Sequence, residues 1–304
     1  MTKDVSDAEA SAIGSPDVTK VGGSYAMVYA QGCRTAASPT EARHNQGKIG
    51  LAYSPDGVSW SKKGSVLAPA PAGQWDDWFL DTPCVVIKDG KAYLYYFGDT
   101  DNAPGGGAIG LAVSSDMITW TRVGAAPVLS PGTGEAWDSN WVESPSVRYD
   151  EKSGLFHLWY TGVDKSWIVR TGHATSADGI SWKKDSANPV LRERNIGFTD
   201  LDVWDGSGAG VAASFVLDGT FHLFYASQSA NDTLAKKRNP QIGLATSADG
   251  SAFTRYSDLP VLTRPAVGSP VNGPYNPSVL YEEGVWKVWY ETAGGFSLAT
   301  MKLK

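Results

Sequence analysis

A unit of about 65 residues recurs five times in this chain, and self-similarity at such a period restricts it to a propeller, a solenoid or a comparable array. The units align on Pro16, Pro83, Pro145, Ala212 and Pro277. An aromatic strand ends thirteen residues after the anchor at Tyr29, Tyr96, Tyr225 and Tyr290, and fifteen after it at Tyr160 in the third unit. A G-x-A-x-S-x-D segment follows in four units: Gly50 to Asp56, Gly110 to Asp116, Gly172 to Asp178 and Gly243 to Asp249. Four residues beyond each Asp stands Trp60, Trp120, Trp182 or Phe253.

Each unit reads as four strands. In the third, Pro145–Tyr149, Leu155–Tyr160, Gly172–Ser176 and Trp182–Leu191 are short β-rich runs bounded by turn residues. No stretch has a convincing helical period. The expected fold is all-β, a single five-bladed β-propeller of four-stranded antiparallel blades around a central axis. The blades fall at roughly 14–69, 75–131, 137–192, 204–263 and 270–304. The last unit ends on its third strand, and residues 1–13 are a poor substitute for the fourth. The S-x-D-G-x-x-W segments resemble the Asp-box hairpins of sialidase-type propellers. Their Asp residues are expected to cap their own turns, because a residue repeated once per blade serves the scaffold.

The net charge of −6 argues against nucleic acid as a partner. The longest apolar runs are strand-length, so no membrane partner is expected. No signal peptide is read at the start, and secretion with a removed signal stays open. Cys33 and Cys84 pair only if the fold brings them together.

Long connections at 30–48, 97–108, 161–171 and 226–241 cluster on one propeller face, and a funnel at the axis on that face is the expected site. Two residues before the anchors stand Gly14, Asp81, Glu143, Gly210 and Tyr275. Asp81 and Glu143 are acids at equivalent points of neighbouring blades. Paired carboxylates across a cleft are the equipment of glycoside hydrolysis, one protonating the leaving oxygen and the other acting as base or nucleophile. The competing reading is a pair of acids satisfied by backbone amides or Arg.

These residues resemble the five-bladed glycosidases of families 43 and 32 and their relatives, over nearly the whole chain. Those enzymes carry a general-acid Glu two residues before a Pro in the third blade, which Glu143-Ser144-Pro145 matches. The resemblance also implies a first-blade Asp directly before the anchor Pro, as base or nucleophile. Here that position is Ser15, so Asp17 or Asp81 is expected to take the role.

Substrate contacts are expected from Trp78, Trp141 and Tyr275, which are unrepeated and flank the acids. Trp75-Asp76, Trp137-Asp138 and Trp204-Asp205 form a repeated set, read either as sugar platforms or as blade packing. Asp138 and Asp205 stay among the candidates. So do Arg34, His44 and Arg170 in the long loops and His173 at the start of a third strand, whereas His157 and His222 read as structural. No Cys/His metal motif, P-loop or dinucleotide fingerprint is present. No cofactor is required, and a central structural calcium or sodium ion fits such a fold. The expected activity is hydrolysis of a furanoside or small oligosaccharide, with a carbohydrate as partner. The alternatives are a phosphorylase or transglycosylase on the same fold, or a non-catalytic sugar-binding propeller. Five blades and no clear arginine triad disfavour a sialidase.

Overall fold

A computed structural model describes residues 13–32, 47–100, 106–194, 200–235, 239–263, 273–292 and 295–303. Five antiparallel sheets surround one axis, four of them four-stranded and the fifth three-stranded among the described residues. The inner strands are Ile13–Val21, Phe79–Lys88, Trp141–Asp150, Gly210–Leu217 and Tyr275–Glu282. Each touches the next, and the fifth touches the first, so the ring is closed. The second strands of blades one to four are largely buried aromatic runs such as Leu155–Val163, whose Leu158 and Trp159 are wholly inaccessible; that of blade five, Val285–Thr292, is partly exposed. Outer strands shrink to two residues in blades two to four. The run expected at Trp182–Leu191 pairs only through Lys183–Lys184 and a bridge from Leu191 to Thr171, because Asp185 bends the chain into a turn. One short helix, Ala230–Leu234, interrupts the fourth long connection and is capped by Ser229.

The innermost strands have no β-partner on their axial side, and their amides need acceptors. A ring of side chains supplies them. The amides of Val18, Val85, Val147 and Ser214 donate to Ser278 Oγ (2.8 Å), Asp17 Oδ2 (2.8 Å), Cys84 Sγ (3.3 Å) and Ser146 Oγ (2.8 Å). In each pair the acceptor stands one residue after its anchor and the donor two residues after the anchor of the next blade. The fifth acceptor position is Ala213, facing Val279, and it has no polar side chain to offer. Ala213→Ser is therefore expected to complete the ring and raise the unfolding free energy by about 1 kcal/mol. A urea midpoint no higher than wild type would count against this reading of the ring.

The Asp-box expectation holds in the geometry. Asp56 Oδ1 accepts from the amides of Val58 (2.8 Å) and Ser59 (2.7 Å) and from Ser54 Oγ (2.9 Å). Asp116, Asp178 and Asp249 repeat the arrangement. Backbone amides hold Asp116 and Asp178 down at about 2. The hairpins also latch blades together. Tyr95 Oη donates to Gly179 O (2.8 Å), Trp159 Nε1 to Gly250 O (2.9 Å) and Trp289 Nε1 to Gly57 O (2.8 Å). The last of these joins blade five to blade one.

Candidate active site

All five inner strands bulge at the same point. Ser15, Thr82, Ser144, Val211 and Asn276, each directly before its anchor, have φ of 50°, 41°, 49°, 47° and 45°. The strand register slips across each of these positions. Left-handed backbone at a β-branched residue such as Thr82 or Val211 costs on the order of 1–3 kcal/mol, and bulges re-aim neighbouring side chains. Five copies around one axis make this a built feature of the propeller. Side chains of adjoining strands hold three of the bulge amides: Ser144 N–H donates to Thr82 Oγ1 (3.1 Å), Val211 N–H to Thr161 Oγ1 (2.7 Å) and Ser15 N–H to Glu291 Oε2 (3.1 Å). The bulge residues and their neighbours close the channel to a void of about 30 Å³, room for one water.

Asp81 and Glu143 each lie one residue above the bulge, half-buried, opposite Phe97 and Thr161 of their second strands. Asp81 Oδ1 accepts from Ser15 Oγ (2.8 Å) and from the Thr82 amide (2.6 Å). Asn276 Nδ2 donates to Ser15 Oγ (3.0 Å) and to Glu291 Oε2 (2.7 Å). Ser15, in the place where the resemblance implies an Asp, thus links one carboxylate from blade two to another from blade five.

Trp141 stands two residues before Glu143 on the same strand and begins an aromatic wall. Trp141 meets Trp167 edge-on at 4.9 Å between ring centroids, and Trp141 Nε1 is buried without a hydrogen-bond partner among the described residues. Trp167 and Tyr275 line a cavity of about 330 Å³ together with Gly208, Gly210, Ser207 and Gln228. Trp167 is 68% exposed. It was missing from the sequence candidates, although an unrepeated aromatic on a long loop was the available signal.

Several candidates take scaffold positions instead. Asp17 is 7% exposed, and its oxygens accept from the Val85 amide and from Ser278 Oγ (3.3 Å) in the axial ring, below the bulges. Burial raises its carboxyl above the ordinary value against the pull of Arg148 and the amide. Asp138 and Asp205 are buried in a motif that includes Asp76. Asp76 accepts from Tyr96 Oη (2.9 Å) and Arg122 Nε (2.7 Å). Asp205 accepts from Tyr225 Oη (3.0 Å) and Arg255 Nε (2.7 Å), and Asp138 from Tyr160 Oη (3.2 Å) and Lys184 Nζ. The preceding Trp packs against the same tyrosine in each case, stacked in blades two and four and tilted by 32° in blade three. A Cβ at Gly110, Gly172 or Gly243 would come within 2.8 Å of that indole, which explains the first glycine of the repeated segment. These tryptophans are blade packing and not platforms.

Arg170 is clamped by Glu193 (2.8 and 2.9 Å) and Asp164 (3.0 Å), which commits the guanidinium to two carboxylates of its own blade. His173 lies in the middle of its strand, because that strand begins at Val169 and not at Gly172. It is 3% exposed, packed against both His157 and Trp159, and bonded to His157 Nδ1 (3.0 Å) and Asp185 (3.2 Å). It is a packing residue and not a funnel residue. Trp78 follows the packing pair of blade two and carries contacts of its own. Arg34 and His44, like Cys33, lie outside the described residues; Cys84 is a buried free thiol.

The histidine pair carries a pH signature. Burial, then the neighbouring His173, pushes His157 down to about 4 from 6.5, and burial also lowers His173. Between those values the unfolded chain binds protons that the folded chain refuses. Stability therefore falls on acidification through this window, by on the order of 2 kcal/mol from His157. Asp116, Asp178 and Asp185, held near 2, lose their contribution only at lower pH. Melting temperatures at pH 7 and pH 4.5 should differ less in His157→Gln than in wild type; equal differences would contradict the assignment.

No family model matches the chain. Two uncharacterized proteins from strains of Mycobacterium tuberculosis are each 24% identical over 243 residues, 78% of this chain and 77% of theirs. An A type blood N-acetyl-alpha-D-galactosamine deacetylase of Flavonifractor plautii is 27% identical over 126 residues, 38% of this chain and only 16% of that protein. Among solved structures, a glycoside hydrolase superposes with a TM-score of 0.74 at 20% identity, over 96% of this chain and 88% of the other. A thermostable family-43 glycoside hydrolase gives 0.70 at 18%, over 96% and 90%. A member of the family 130 mannoside phosphorylases and hydrolases gives 0.69 at 16%, over 95% and 84%. The five-bladed propeller of these glycoside hydrolases is the fold of this chain.

Proposed function

We propose that this protein is a glycoside hydrolase whose active site is the axial funnel on the long-loop face. The observation that carries the reading is the pair of acids, Asp81 and Glu143, set directly above matching left-handed bulges of neighbouring blades. Glu143 is the general acid that protonates the leaving glycosidic oxygen. Asp81, bonded to Ser15, fixes the hydrogen-bond network around the second carboxylate role. Trp141, Trp167 and Tyr275 supply apolar faces against which the CH face of a sugar packs. The wide cavity beside the axis has room for more than one ring substituent and suits a small oligosaccharide or furanoside.

Two further chemistries share this surface. Phosphorolysis is kept in view by the likeness to family 130 structures, and sugar deacetylation by the partial match to the deacetylase. A panel of aryl glycosides, oligosaccharides and acetamido sugars, assayed with and without phosphate for released sugar and acetate, tests the proposal. Release of sugar without phosphate is the expected result. Strict phosphate dependence, or acetate alone, would replace hydrolysis by one of the other two activities. Sugar binding with no release of either product would make the protein a binding propeller.

A further inference from the structure

The blade-one position that holds a carboxylate in the resembling enzymes is Ser15, yet a carboxylate is present there. Glu291 arrives from the second strand of blade five, and its Oε2 lies 3.1 Å from the Ser15 amide and 2.7 Å from Asn276 Nδ2. Building on the hydrolase reading, we infer that Glu291 is the second carboxylate of the site, the base that takes a proton from the attacking water.

The sequence position supports this. Glu291 stands opposite Tyr275 at the point where the other four second strands have Ala30, Phe97, Thr161 and Ala226. A scaffold role would repeat; an acid in one blade of five does not. Two N–H donors on Oε2 fix the direction of the carboxylate. Oε1 accepts no hydrogen bond among the described residues, and the residue is half-buried rather than sealed. A carboxylate anchored by one oxygen and open at the other suits a base. Asn276 and Ser15 position it, and Ser15 Oγ passes the connection on to Asp81. In the step itself, water loses a proton to Glu291 as its oxygen bonds to the anomeric carbon. The glycosidic C–O bond breaks, and Glu143 delivers a proton to the departing oxygen. One water is consumed; the proton on Glu291 returns to solvent and Glu143 takes one up from it, which restores both groups. The two carboxylates then act from blade three and from the blade-one side of the axis.

Glu291→Gln, assayed on the aryl glycoside that the wild type turns over fastest, should lose about 10²-fold or more in kcat. The acidic limb of the kcat/KM pH profile should disappear with it, since that limb reports ionisation of the base. Ser15→Asp placed in the Glu291→Gln chain returns a carboxylate to the same spot, at a position whose φ of 50° Asp tolerates, and should raise turnover above Glu291→Gln alone. A purely structural role would lower stability and leave the limb in place. Wild-type turnover with Glu291→Gln equally active, or with the acidic limb unchanged, overturns the assignment and leaves the hydrolase reading standing. No turnover by wild type on the whole panel overturns both.

Discussion

Glu143→Gln is expected to lower turnover of an oligosaccharide by about 10²–10⁴-fold, the range that general acid catalysis supplies. The substitution preserves shape and removes the transferable proton. A natural sugar leaving group departs as a poor alkoxide unless it is protonated, so the full loss should appear with oligosaccharides. A nitrophenyl glycoside, whose leaving group needs no proton, should lose much less. That split separates an acid from a residue that merely shapes the funnel, which would depress both substrates alike. In the proposed role Glu143 is positioned by the left-handed Ser144 beneath it and by strand pairing with Thr161, whose hydroxyl is already committed to the Val211 amide. Measuring kcat/KM for both substrates checks the expectation; equal losses would contradict it.

Trp289→Ala should remove about 3–5 kcal/mol of stability, the usual cost of deleting a buried Trp. The residue is 1% exposed and closes the propeller. It donates to Gly57 O at 2.8 Å and packs against Tyr25 at 5.8 Å between ring centroids. Blade five is held to blade one by this latch, by Ser278 Oγ on the Val18 amide, by the Ser15 amide on Glu291, and by Glu282, which pairs with Lys20 of blade one and Lys287 of its own blade (2.7 Å each). The ion cluster lies at the surface and adds little. The indole is the largest fully buried side chain at this seam, packed in one cluster with Val18, Tyr25, Met27 and Tyr29. Leu259→Ala, at a side chain 71% exposed, should change stability by less than about 0.5 kcal/mol and serves as the control. Urea unfolding of both variants measures the difference. A Trp289→Ala loss as small as the control would mean that closure rests elsewhere.

The repeat was enough to read blade number, strand order and the Asp-box hairpins, because each rests on local spacing. The site was harder to read, for a physical reason. Whether a polar residue faces the funnel or its own blade depends on partners far along the chain. Asp138 and Asp205 looked like sugar ligands until Lys184 and Arg255, 46 and 50 residues on, were found to occupy them. Asp17 looked like a spare base, but it spans to the Val85 amide 68 residues away. Glu291 went unnoticed because its partner Ser15 is 276 residues distant. Its signal was nonetheless in the alignment, as a carboxylate in a column otherwise filled by Ala30, Phe97, Thr161 and Ala226. The tryptophans divide in the same way: Trp75, Trp137 and Trp204 pack on tyrosines of their own blades, while the unrepeated Trp141 and Trp167 meet edge-on.

The central claim is that carbohydrate is bound and cleaved in the axial funnel above the five bulges. It is tested most directly by a crystal structure of Glu143→Gln soaked with a glycoside that the wild type cleaves. A sugar ring seated between residue 143 and the Ser15–Glu291 pair, with Trp141, Trp167 or Tyr275 against it, is the expected result. A sugar bound on the blade exteriors, with the funnel empty, would contradict the account.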